Sequence, residues 1–132
     1  MSTRAIIYLD TSAAAKLVVR ERESDALRRW LGSPRLIASA LLEAELIRAV
    51  RRHRPDSADQ ARALLRRISL VPIDERTISL AATLEPPTLR TLDALHLATA
   101  LLLELTDLAF VSYDERLTQA ADAAGLKVTA PT

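Results

Sequence analysis

Four acidic residues stand where a carboxylate needs a reason. Asp10 ends the apolar run Ala5-Ile6-Ile7-Tyr8-Leu9. Glu45 lies in the amphipathic stretch 40–50, Asp93 opens the almost wholly apolar stretch 93–105, and Asp114 follows Leu108-Ala109-Phe110-Val111-Ser112-Tyr113. A charge beside core segments is costly unless it is paired, solvated or bound to a cation. Four converging carboxylates would make a hard, oxygen-only site of the kind that takes Mg²⁺ or Mn²⁺. Cysteine is absent, so thiolate metal sites, thiol catalysis and disulfides are excluded. Each acid also has a simpler reading. Asp10, Asp93 and Asp114 can cap helices or sit in turns. Glu45 can be a solvated flank residue, and periodicity does not separate it from Glu43.

The acids can meet only if the chain brings them to one edge. A continuous apolar strand is expected at 5–9, then a helix from 12 to about 19 capped by Thr11 or Ser12. A second helix reaches Leu31 and is broken by Gly32-Ser33-Pro34. A short strand at 36–38 leads, through Ser39 as cap, to a helix at 40–53. Pro55 stops it, and Asp56 or Ser57 starts another running to about Ile68. The segment 69–73 reads as an edge strand because Pro72 cannot donate to a ladder. Asp74 caps a helix at 75–84, and Pro86-Pro87 force a loop. A buried helix at 93–105, a strand at 109–112, a helix at 114–124 closed by Gly125, and a last strand at 126–129 complete the pattern. Strands alternating with helices predict an α/β sandwich around a mainly parallel sheet. Such sheets bind ligands at the carboxyl ends of their strands. Asp10 and Asp114 both lie just past such an end, Asp93 begins a helix at the same edge, and Glu45 has the reach to join them.

Bulk properties fit one domain over residues 1–132. At 49% hydrophobic and 27% charged, the chain can bury a core and is not expected to be disordered. No run approaches the ~18 apolar residues of a membrane helix. Met1-Ser2-Thr3-Arg4 lead directly into the first strand without the features of a signal peptide, so a cytoplasmic location is expected. Two glycines leave no room for a dinucleotide fingerprint or a P-loop. Net charge is +1, so no global basic field draws in nucleic acid. The basic residues are nonetheless sixteen arginines against two lysines. That bias reads either as a GC-rich genome or as phosphate recognition by the guanidinium fork. Arg48, Arg51, Arg52 and Arg54 cluster around His53. His96, one turn after Asp93, reads first as a satisfied core histidine, with a contact to Asp93 as the alternative. Trp30 reads as core or interface packing.

Tyr8-Leu9-Asp10-Thr11-Ser12-Ala13 with Lys16-Leu17 resembles the opening motif of PIN-domain ribonucleases, in particular the VapC toxins of bacterial toxin–antitoxin pairs. Ser39-Ala40-Leu41-Leu42-Glu43-Ala44-Glu45-Leu46 resembles the second motif and selects Glu45 over Glu43. Leu92-Asp93-Ala94-Leu95-His96-Leu97-Ala98 resembles the third, and Phe110-Val111-Ser112-Tyr113-Asp114-Glu115-Arg116-Leu117 the fourth, where threonine is commoner than Ser112. Glu115 adjoins Asp114, which makes the fourth acid the least firmly assigned. The resemblance implies a three-layer α/β/α sandwich. It implies Mg²⁺- or Mn²⁺-dependent RNA cleavage, with Asp10 and Asp93 as main ligands and Glu45 and Asp114 completing the pocket. Thr11, Ser12 and Ser112 would support the acids or a bound water, and Arg48, Arg51 and Arg52 would meet RNA. A homodimer and a VapB-like antitoxin are implied as well. Two other classes compete. A receiver domain would need paired acids after its first strand, and a binding-only module would hold RNA or protein without cleaving it.

Overall fold

The computed structural model describes residues 5–132; the expected lead-in at residues 1–4 lies outside the described residues. Five strands form one sheet: β1 (Ile6–Leu9), β2 (Arg35–Ser39), β3 (Ile68–Val71), β4 (Leu108–Val111) and β5 (Lys127–Thr129). Their order is β3-β2-β1-β4-β5, and every pairing is parallel. The order reverses between β1 and β4, so the crevice outside their carboxyl ends is the expected ligand position. Asp10 lies at the end of one of these strands and Asp114 just beyond the other.

The period of two along each strand builds two cores. Ile7 and Leu9 of β1, Leu36 and Ala38 of β2, and Val111 of β4 face one side. There they meet α1 (Thr11–Lys16), α2 (Ser24–Leu31), α3 (Leu41–His53) and α4 (Ala58–Leu65). Tyr8, Ile37, Leu108 and Phe110 face the other side. They pack against α6 (Thr91–Leu102) and α7 (Glu115–Ala123), with α5 (Glu75–Thr83) lying on α6. The result is the three-layer α/β/α sandwich. Among the described residues no helix is long and apolar enough to cross a membrane.

Several boundaries differ from the sequence reading. Of the caps the sequence offered for α1, Asp10 is the one used, its carboxylate accepting from the Ala13 N–H, and not Thr11 or Ser12. Helix α4 stops at Leu65, because Ile68 already pairs with Leu36 in β3. Its apolar spacing from Leu64 and Leu65 mimics another helical turn. Helix α6 starts at Thr91, which places Asp93 in its first turn. Trp30 is 43% exposed and so is not a core residue. Gly125, with φ of 98°, ends α7 as expected.

Candidate active site

Asp10 is the most constrained of the four acids. It is 3% exposed, and its carboxylate accepts hydrogen bonds from the Ser12 hydroxyl (2.7 and 2.9 Å), the Ser112 hydroxyl (2.5 Å) and the Ala13 N–H (2.9 Å). Both serines are also acceptors. Ser12 Oγ takes the Tyr113 N–H at 2.9 Å, and Ser112 Oγ takes the Asp114 N–H at 3.0 Å. The loop after β4 is thereby tied to the acid after β1. Burial drives the Asp10 pKa upward, against the hydrogen bonds from Ser112, Ala13 and Ser12.

The other three acids can be reached from solvent. The side chains of Glu45, Asp93 and Asp114 are 23%, 22% and 25% exposed. The Asp93 pKa is raised by burial first, then by the negative charge of Asp114, with Asp10 adding to it. Asp93 therefore feels the acids of both β1 and β4. Arg90, at the cap position of α6, lies 3.6 Å from Asp93 Oδ2 and 3.5 Å from Asp114 Oδ2. Asp114 also caps α7 through the Leu117 N–H.

Glu45 is half-buried on α3 and reaches Thr11 at the start of α1, whereas Glu43 is exposed. Its Oε1 lies 2.7 Å from His96 Nε2 and accepts from the Thr11 hydroxyl at 2.9 Å. Burial raises its pKa, but the hydrogen bond and charge of His96 and the Thr11 hydroxyl outweigh burial, so the net shift is downward. A cleft of about 530 Å³ between α1 and α3 is lined by Thr11, Ser12, Lys16, Ala49 and His53 among others, and by none of the four acids.

This donor set suits a hard divalent cation: it is all oxygen, and Arg90 is the one arginine or lysine paired with it among the described residues. Among those residues no three such side chains are already closed around a single point.

The PIN domain family matches residues 7–123. A curated relative, the ribonuclease VapC46 of Mycobacterium tuberculosis, is 45% identical over 130 residues, which is 97% of this chain and 99% of that protein. The chain belongs to the PIN-domain family, among the VapC proteins. Solved structures of low identity agree on the fold. The Mycobacterium tuberculosis VapC20, a sarcin-ricin loop cleaving toxin, superposes with a TM-score of 0.76 at 18% identity, covering 95% of this chain and 99% of that one. VapBC2 of Rickettsia felis, bound to a promoter DNA fragment, gives 0.74 at 13% identity, covering 96% and 99%.

In this PIN domain the sequence-selected residues divide into two groups. Asp10, Asp93 and Asp114 adjoin one crevice with Ser12 and Ser112, and Glu45 enters beside Thr11. Arg48, Arg51 and Arg52 are exposed on α3 and form no ion pair among the described residues. His96 is a buried core histidine, but its hydrogen-bond partners include Glu45 and Tyr8 and not Asp93. Sequence reasoning missed Arg90 and Tyr8. An arginine three residues before Asp93 was a usable signal for Arg90. Nothing marked Tyr8, which reads as one more strand residue.

Proposed function

We propose that this chain is a divalent-metal-dependent endoribonuclease, the toxin of a VapBC-type pair, acting as one nuclease domain on RNA phosphodiester bonds. The observation that carries the reading is Asp10. It is a buried carboxylate with a raised pKa and no arginine or lysine paired to it among the described residues, at the β1/β4 crevice where Asp93 feels its charge. Asp10 and Asp93 would be the main holders of Mg²⁺ or Mn²⁺, with Glu45 and Asp114 completing the set. When bound, such a cation acidifies a water and offsets charge on the scissile phosphate. Ser12 and Ser112 fix the Asp10 carboxylate, and Thr11 orients Glu45. Arg48, Arg51 and Arg52 would meet the RNA backbone. Hydrolysis would leave 5′-phosphate and 3′-hydroxyl ends.

A VapB-like antitoxin is the proposed protein partner, supported by the VapBC pair among the solved neighbours. A homodimer is the proposed assembly, supported by the exposed Ile78 and Leu92 on α5 and α6. The cytoplasm is the proposed location. A second reading, an RNA- or protein-binding module that cleaves nothing, draws on the finding that no three acids already enclose a point among the described residues. Cleavage of an RNA transcript with Mn²⁺ or with EDTA separates the two. We expect cleavage only with metal, and none from Asp10→Asn or Asp93→Asn variants with native circular dichroism. Full activity in either variant would overturn the nuclease reading.

A further inference from the structure

His96 is 1% exposed, and both of its ring nitrogens are engaged. Nδ1 lies 2.8 Å from the Tyr8 hydroxyl, and Nε2 lies 2.7 Å from Glu45 Oε1. Tyr8 is fully buried and stacks on Phe110 at 5.2 Å between ring centroids, so its hydroxyl position is set by the core. That hydroxyl accepts the Ser39 N–H at 3.0 Å and lies against Nδ1, which ties the ring to the end of β2. A carboxylate only accepts, so Nε2 is the donor to Glu45 Oε1.

We infer that His96 is a positioning residue for the Glu45 carboxylate, anchored through Tyr8 to the end of β2. It holds Oε1 together with Thr11, so Oε2 is the oxygen left to the acidic crevice. The anchor runs through four elements: the Ser39 amide on β2, the Tyr8 phenol on β1, the imidazole on α6 and the carboxylate on α3. A flexible glutamate is thereby given a fixed rotamer. Partners of this kind behind a ligating carboxylate typically matter about 10- to 100-fold in metal affinity. The inference rests on the nuclease reading, since it assigns Glu45 to a cation site.

The test is Mn²⁺ binding to the full chain without RNA, followed by electron paramagnetic resonance, alongside kcat and KM for cleavage. His96→Gln keeps a donor near the Nε2 position, and His96→Leu fills the space without one. We expect His96→Leu to weaken Mn²⁺ binding about tenfold or more and to lower kcat with little change in KM. His96→Gln should recover most of both. Tyr8→Phe keeps the ring and removes the anchor, and should weaken Mn²⁺ binding in the same direction by a smaller factor. It also keeps the inference testable should His96→Leu not fold. Equal Mn²⁺ affinity in wild type, Tyr8→Phe and the folded His96 variants would overturn the inference and leave the nuclease reading intact. Absence of Mn²⁺ binding by the wild type would overturn both.

Discussion

Asp114 carries two duties that one carboxylate can perform together, capping α7 and adding charge to the crevice. Substitution separates them. Asparagine caps about as well as aspartate, so Asp114→Asn should unfold at the denaturant midpoint of the parent yet cleave more slowly. Asp114→Ala should also lose about 1 kcal/mol. Asp93 gives a pH test. An acid whose folded pKa is raised stabilises the fold below its unfolded value near 4 and loses that contribution as pH rises through the folded value. In EDTA, Asp93→Asn should therefore be more stable than the parent at neutral pH, and the difference should shrink towards about pH 4. A difference that grew on acidification would contradict the raised pKa. Strand-end logic was enough to collect Asp10, Asp93 and Asp114. Glu45 needed more, because Glu43 and Glu45 flank the same apolar stripe; periodicity leaves both open, the motif resemblance selects Glu45, and the structure sets that residue against His96. Tyr8 and His96 are 88 residues apart in sequence, and no local pattern records such a pair.

At the level of elements, alternation of strand and helix was legible throughout, and the errors fall at ends. Residues 64, 65 and 68 satisfy helical spacing, yet Ile68 belongs to β3. Pairing with a strand 32 positions away decided this, and local periodicity does not contain it. Cap chemistry read well where it stood apart from the site. Asp74 and Thr77 form a reciprocal capping box at the start of α5. Asp74→Ala should lower the midpoint of denaturant unfolding without changing cleavage rate. At α1 the cap reading of Asp10 holds and that of Thr11 or Ser12 does not, because Asp10 serves as cap and crevice acid at once.

Across the whole molecule the net charge says little about partners and the distribution says more. Arg51 and Arg52 project from the end of α3 with no acid paired to them among the described residues. If they meet phosphates of single-stranded RNA, each alanine substitution should reduce the slope of log affinity against log salt by about 0.7. An unchanged slope in filter-binding titrations would make them ordinary solvated surface.

The β1–β4 pairing has a consequence for how the molecule comes into being. Ile6 lies opposite Leu108, and the serine that grips Asp10 is residue 112. Such long-range closures form late and slowly, because a large loop must be ordered before any contact rewards it. During synthesis a chain that has emerged only as far as α6 carries Asp10, Glu45 and Asp93. It still lacks the strand that completes the crevice. The damaging activity proposed for this protein therefore waits on the synthesis of β4 and Ser112, and a chain that has emerged only as far as α6 presents no completed crevice.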